Sequence, residues 1–260
     1  MSDHLLQGTD HGVHTITLNR PEIRNAFNDV LIGEIREAFE AVSSRTDVRC
    51  VLLAANGPAF CAGGDLNWMR RMADYDRAQN LADAARLAEM LRVIHQCPKP
   101  VIARVQGDVY AGGMGLVACS DIAISVDCAH YCLSETRLGL LPATISPYVM
   151  RAMGPRAAQR YCLSAERFDA AEALRIGFVH EVVPAELLDE RVDAVAQALV
   201  NASPAAVRAC KRLLQDVAQR EIDAALIAQT VEAIADVRAS AEGREGVQAF
   251  LQKRQPSWLA

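Results

Sequence analysis

Phe60-Cys61-Ala62-Gly63-Gly64-Asp65 follows the apolar run Cys50-Val51-Leu52-Leu53-Ala54-Ala55, and Gly112-Gly113-Met114-Gly115 follows Pro100-Val101-Ile102-Ala103-Arg104-Val105. Each is a glycine-rich turn behind a strand-like segment. Neither is a phosphate loop: there is no G-K-[ST] and no complete G-x-G-x-x-G. Two such turns on neighbouring strands can aim two backbone N–H groups at one point. That arrangement is an oxyanion hole, and it suits chemistry that passes through a thioester enolate.

Working outward, His14-Thr15-Ile16-Thr17-Leu18 alternates and predicts a strand. Pro21 and Asn25 mark a turn, and Asp29 to Val42 carries apolar residues at helical spacing. Residues 49–55 predict a buried strand, 66–77 a loop or irregular helix, and 78–96 a helix ended by Pro98. Residues 100–105 predict a strand, Gly113 to Ser120 a short apolar helix, and 121–125 a further strand. This succession predicts an α/β core. Asp169-Ala170-Ala171-Glu172 has the form of a capping box, with the acid reaching back to the N-cap. Gly177-Phe178-Val179 leads towards a short strand, and Ser203-Pro204 predicts an N-cap followed by proline at N1. From about residue 185 the chain offers three or four amphipathic helices, which serve either as extra core or as a subunit interface.

Composition narrows the function classes. The chain has 260 residues, 51% of them hydrophobic, enough for one large domain or one domain plus an appendage. Its net charge of −5 argues against nucleic acid as the main partner. Met1-Ser2-Asp3-His4 has neither a basic nor an apolar leader character, and no apolar run reaches membrane-spanning length, so a cytoplasmic protein with no membrane partner is expected. None of the eight cysteines forms a C-x-x-C pair; they read as small buried hydrophobes in a reducing compartment. The six histidines have no ligand spacing, so no metal is expected.

The chain resembles the crotonase (enoyl-CoA hydratase/isomerase) superfamily from about residue 12 to residue 256. Six marks carry the resemblance in order: Asn19-Arg20-Pro21 through Asn25-Ala26-Phe27; Phe60 through Asp65; Pro98-Lys99-Pro100-Val101-Ile102-Ala103; Gly107 through Gly115 with Cys119-Ser120-Asp121; Ser134-Glu135 with Gly139 and Pro142; and Glu245-Gly246 with Phe250 and Lys253. The resemblance implies an α/β spiral of β-β-α turns over residues 1–190 and a C-terminal helical oligomerisation region over 191–260. It implies a trimer or dimer of trimers, with an acyl-CoA thioester as ligand. Coenzyme A enters as part of the substrate, and no separate cofactor is implied. By position, the Gly64 and Gly112 amides would grip the thioester oxygen. Ala62, Gly63, Gly64 and Asp65 would receive the adenine end of CoA through their main chain. Arg24 would face the CoA phosphates with Ala26 beside it, and Phe250 and Lys253 would reach CoA from the C-terminal region of the same or a neighbouring subunit.

Hydratases of this superfamily typically use two glutamates, one to hold water and one to deliver the α-proton. Glu135 matches the second; Gly115 stands at the first. Glu135 lies among Tyr131, Cys132, Leu133 and Leu138, where partial desolvation would raise its pKa towards neutrality. Three readings of the missing partner follow. Glu135 alone handles water and proton in a syn addition; or Asp108, Tyr110, Thr144 or Ser146 orients the water; or no water is added and Glu135 shuttles a proton as in an enoyl-CoA isomerase.

A finer resemblance spans Cys132 to Glu135, Arg137 to Val149 and Tyr161 to Phe168, and is to bacterial 3-methylglutaconyl-CoA and isohexenylglutaconyl-CoA hydratases of leucine and acyclic-terpene degradation. Sequences of that kind can carry glycine where Gly115 stands. It implies a substrate with a second carboxylate, which needs a cationic partner when buried; Arg70 or Arg71 is the candidate, with Trp68, Met69 and Met72 capping the acyl tail. A non-catalytic acyl-CoA-binding or RNA-binding protein on the same fold is the rival of another class. A dinucleotide-binding oxidoreductase would need a third glycine in register, where Ala118 and Cys119 stand.

Overall fold

The computed structural model describes residues 3–259; Met1 and Ser2, on which part of the leader reading falls, and Ala260 lie outside them. The chain winds as a spiral that visits two sheets in turn. β1 (Leu5–Asp10) and β2 (Val13–Leu18) form an antiparallel hairpin. After α1 (Asp29–Ser43), each turn of the spiral gives one strand to a large sheet and the next to a small one. The pairs are β3 (Cys50–Ala55) with β4 (Ala59–Cys61), β5 (Val101–Val105) with β6 (Asp108–Tyr110), and β7 (Ile122–Val126) with β8 (His130–Cys132). Helices α2 (Leu66–Ala73), α3 (Arg77–His95) and α4 (Gly112–Cys119) fill the turns between them.

Beyond β8 come a short 3-10 turn (Glu135–Leu138), α5 (Ser146–Ser164), β9 (Phe168–Asp169), α6 (Ala170–Arg175) and β10 (Glu181–Val183). The large sheet runs β1-β2-β3-β5-β7-β10, and all its pairs after the hairpin are parallel. The small sheet runs β4-β6-β8-β9, with β4, β6 and β8 parallel. Strands β3 and β5 are buried along nearly their whole length, which explains why they read as unbroken apolar runs.

Most of the predicted elements fall where the periodicity puts them. Residues 66–77 differ: Asp65 caps a regular helix, accepting hydrogen bonds from Asn67 N and Trp68 N, and the chain restarts at an Asp76–Gln79 capping box. At α6, Asp169 accepts from Glu172 N at 2.8 Å, but Glu172 does not return the bond. Its carboxylate accepts instead from the Tyr161 hydroxyl at 2.6 Å and from Arg175, stronger partners than a backbone amide. Cys50, Cys61, Cys97, Cys119 and Cys132 are buried, as expected of apolar fillers, and Cys162 is half-buried; Cys128 and Cys210 are exposed, contrary to that reading. No helix among the described residues is long and apolar enough to cross a membrane.

Four further helices follow: α7 (Leu188–Asn201), α8 (Pro204–Val217), α9 (Ala224–Ala239) and α10 (Ala241–Leu251). The division at 190/191 runs through α7, whose Leu188, Val192 and Ala196 belong to the main core. The outer layer therefore begins with α8. Lys211 on α8 donates to Asp121 at 2.6 Å and to the Lys99 carbonyl at 3.0 Å, with the lysine almost fully covered. Lys211→Ala is expected to cost about 2 kcal/mol and to expose α8–α10 to protease before the core; limited proteolysis with mass spectrometry reads the order of cuts.

Candidate active site

The small sheet gathers the site. Gly64 follows β4, Gly112 follows β6 and Glu135 follows β8, each within three residues of the strand's end. Because these three neighbouring strands are parallel, all three turns emerge at one edge. The carboxyl ends of parallel strands are where open α/β folds place ligands, since the backbone there leaves the ladder and its groups become free.

Phe27 holds the first turn. Its N–H donates to the Gly63 carbonyl at 2.9 Å, and the Asp65 N–H donates to the Phe27 carbonyl at 3.0 Å. This parallel bridge uses the groups on either side of Gly64 and turns the Gly64 N–H away from it. Gly63 has φ +91°, a conformation that L side chains rarely adopt. The second turn leans on the first: a Cβ on Gly63 would lie 2.9 Å from Ala111 Cβ and 3.8 Å from Gly112 N. Ala111 itself has φ +47° and ψ −122°, and its N–H donates to the Cys132 carbonyl at 2.8 Å. A non-glycine residue there stores about 1–3 kcal/mol of strain. Ala111 is the N-cap of α4, so the chain enters the helix through this conformation.

Gly112 is the first residue of α4, so its N–H has no acceptor within the helix. A Cβ at that position would overlap the Phe27 ring, lying 3.0 Å from its Cε1. Neither the Gly64 nor the Gly112 N–H donates to a protein acceptor among the described residues. Two free donors on touching turns, one of them backed by a helix N-terminus, form a pair suited to an anionic oxygen.

Glu135 opens the 3-10 turn after β8. Its Oε2 is buried and has no hydrogen-bond partner among the described residues. Burial raises its pKa above the usual carboxylate range, only partly offset by a backbone hydrogen bond. A carboxyl group kept dry and unpaired is poised to exchange a proton. Nearby thiols are not rivals: burial pushes Cys61 up to about 12, and its Sγ donates to the Asn25 carbonyl at 3.2 Å.

The site is braced by a buried ion pair. Arg20 donates to Asp65 at 3.0 Å and to the Ala26 carbonyl at 2.8 Å, with both charged groups largely covered. Asn25, fully buried with φ +54°, accepts from Arg20 N and donates to the carbonyls of Asn56 and Ala59. Burial would raise the Asp65 pKa, but the Asn67 and Trp68 amides and Arg20 overcome it and hold the carboxyl below its ordinary value. The Asp65 side chain is thus committed to structure. Ala62 N–H donates to the Arg24 carbonyl at 2.9 Å, while the Arg24 guanidinium is exposed and has no acid partner among the described residues.

The other expected residues divide. Trp68 and Met69 stand 3.5 and 3.6 Å from where a Cβ on Gly64 would be, and Trp68 is buried, so both wall this end of the site; Met72 packs partly buried against the core. Arg71 is paired with Asp29 at 2.5 Å, whereas the Arg70 guanidinium donates to the neutral Asn67 and has no acid partner among the described residues. Tyr110 donates to Asp108 at 2.8 Å, and Asp108 also accepts from His130 N. Those two side chains are tied to each other along β6, with Asp108 also bonded to β8 through His130 N, and do not serve as free water ligands. Ser146 donates to the Ala143 carbonyl, and the Thr144 hydroxyl makes no hydrogen bond among the described residues.

Phe250 and Lys253 are not brought to Gly64 and Gly112 by their own chain. They lie on and just after α10, which packs on α8 and α9, and Phe250 is 82% exposed. That layer docks through Lys211 at Asp121, the opposite end of α4 from Gly112. Sequence reasoning gave no role to Ala111, and Phe27 and Arg20 entered only as parts of a motif. A phenylalanine six residues after an Arg-Pro pair is their only sequence signal.

With this geometry in hand, comparison with known proteins is direct. Residues 8–260 match the family model for enoyl-CoA hydratase/isomerase. The structure is similar to that of an enoyl-CoA hydratase from Shewanella pealeana, 44% identical with TM-score 0.95, covering 98% of this chain and 96% of that one. The sequence is 31% identical to the 2,3-dehydroadipyl-CoA hydratase of Escherichia coli over 98% of each chain. It is 30% identical to the trans-2-decenoyl-[acyl-carrier-protein] isomerase of Streptococcus mutans, over 98% of this chain and 97% of that one. The chain belongs to the enoyl-CoA hydratase/isomerase family and is an enzyme of the enoyl-CoA hydratase type.

Two stability predictions follow from the opposed carboxylates. Asp65→Ala is expected to cost about 3–5 kcal/mol in urea unfolding at neutral pH, since it strands a buried arginine. Asp65 is depressed in the folded state, so this difference shrinks as pH falls through its folded pKa. Glu135 is raised, so its charged form costs stability above its pKa; Glu135→Gln is expected to raise the thermal midpoint at neutral pH and to lose that advantage in acid.

Proposed function

We propose that this enzyme adds water across the 2,3 double bond of an enoyl-CoA, with Glu135 as its single acid–base group. The observation that carries the reading is the unpaired, buried Glu135 oxygen at the same sheet edge as the free Gly64 and Gly112 amides. The thioester oxygen accepts from both amides. Glu135, ionised, takes a proton from water as the hydroxide attacks C3. The electron pair moves through C2 onto the thioester oxygen, and the two N–H groups stabilise the charge at about 3–4 kcal/mol per donor in favourable cases. Glu135 then returns the proton to C2, so one water is added on one face. Arg24 faces the CoA phosphates, and the main chain of Ala62 to Asp65 with Ala26 receives the adenine end.

A branched glutaconyl-CoA is the substrate class, as in leucine or acyclic-terpene degradation. Arg70, which has no acid partner among the described residues, is the counter-ion for the second carboxylate, in preference to Arg71, which Asp29 already neutralises. Coenzyme A is part of the substrate, and the enzyme works without a separate cofactor in the cytoplasm. It assembles as a trimer or dimer of trimers, which would cover Val231, Ile234, Phe250 and Leu251, all exposed on the outer helices. In such an assembly Phe250 and Lys253 would serve a neighbouring subunit's CoA. The single carboxylate also suits an isomerase, in which Glu135 takes a proton from C2 and returns it at C4.

Glu135→Gln is expected to lower kcat by about 10²–10⁴-fold while acyl-CoA still binds. In the wild type, kcat/KM should fall as pH drops through a midpoint above that of an ordinary glutamate, because protonated Glu135 cannot accept a proton from water. Mass spectrometry of the products of crotonyl-CoA, 3-methylglutaconyl-CoA and a 3-enoyl-CoA decides between the readings. A gain of one water on the glutaconyl thioester supports the proposal, a conjugated product of unchanged mass from the 3-enoyl thioester supports the isomerase, and silence on all three overturns both.

A further inference from the structure

Gly115 lies one helical turn after Gly112, and the space beside it is occupied. A Cβ there would overlap Ile145 Cγ2 and lie 3.1 Å from Ile145 Cβ and 3.2 Å from Leu91 Cδ2. Ile145 is 2% exposed and Leu91 is fully buried. A carboxylate cannot be added at this position without displacing hydrocarbon, so the wall of the site at the first turn of α4 is dry and apolar.

Ile145 also ends the segment that carries Glu135. The Leu140 N–H donates to the Glu135 carbonyl at 3.1 Å, Ser146 N–H to the Pro142 carbonyl at 2.9 Å, and Val149 N–H to the Ile145 carbonyl at 3.0 Å. The Glu135 end and the Ile145 end of this segment are each folded into a local hydrogen-bonded turn, and its last residue presses into α4 where α4 has no side chain. α4 begins at the strained Ala111 and rests on Phe27. Phe27 at Gly112 and Ile145 at Gly115 pack one above the other on neighbouring positions of the first turn of α4.

We propose that Ile145 is a positioning residue: seated against Gly115, it fixes the first turn of α4, and with it the Gly112 N–H, relative to the segment bearing Glu135. This inference rests on the acyl-thioester reading of the site. An oxyanion donor acts only if it is aimed at the place where charge develops, so a loosened α4 weakens enolate stabilisation more than it weakens substrate binding. A residue that served stability alone would lower the thermal midpoint and leave the chemistry of the folded enzyme unchanged.

The test uses acetoacetyl-CoA, whose enolate absorbs in the near ultraviolet and whose binding needs no turnover. Wild type is expected to bind it with an enolate band. Ile145→Ala is expected to lower both that band and kcat roughly tenfold, a fraction of the cost of losing an oxyanion donor outright, with KM nearly unchanged. An unchanged band in Ile145→Ala overturns the inference. If Ile145→Ala does not fold, Ile145→Leu moves the branch off Cβ, so that Cγ2 no longer meets Gly115 while the side-chain volume is kept, and is expected to lower the band about twofold; no decrease overturns the inference. A wild-type enzyme with no band overturns the acyl-thioester reading and this inference together, whereas a wild-type band indifferent to position 145 overturns this inference alone.

Discussion

The parallel pairing of β4, β6 and β8 is the constraint from which the site follows. Each strand is only three residues long. Such short strands contribute little by themselves, yet their common direction brings three turns to one edge. The first turn supplies Gly64, the second Gly112 and the third Glu135. The large sheet provides the buried mass that makes this possible, because the same spiral that stacks β3, β5 and β7 stacks their small-sheet partners. Two amides and a carboxylate far apart in the chain are thus brought to one edge of the small sheet.

Packing then sharpens the arrangement. Phe27 bridges Gly64 through its backbone and supports Gly112 through its ring, so one residue serves both donors. The absence of side chains at Gly63, Gly112 and Gly115 lets neighbours approach to contact distances that any Cβ would forbid. Ala111 holds a backbone conformation unfavourable for its type, as is common where a fold aims a functional group.

Two carboxylates a few residues from these turns illustrate opposite uses of burial. Asp65 is surrounded by donors and carries its charge with a depressed pKa, fastening α2 and the Arg20 segment. Glu135 has an orphaned oxygen and a raised pKa. The first arrangement fastens the scaffold, and the second leaves a proton acceptor unsatisfied at the price of some stability.

Local pattern determined much of this. Apolar runs marked β3 and β5, helical spacing marked α1 and α3, and glycine clusters after strands marked both turns, because these features depend on neighbours along the chain. The motif order identified the family, and Glu135 could be named from its register with Gly139 and Pro142. Residues 66–77 read as a loop or irregular helix because their polar face hides a regular helix fixed mainly by the Asp65 cap and by Trp68 burial. The partner of Glu172 was misjudged because Tyr161 reaches it from another element. Which arginine is free, which hydroxyls are already tied, and what fills the space beside Gly115 were decided only by tertiary structure. Arg71 finds Asp29 across 42 positions, and Ile145 meets Gly115 from the start of another helix. Such contacts depend on distances in space that one-dimensional spacing does not encode, so the sequence marked the turns and the fold determined which of the groups near them are already tied.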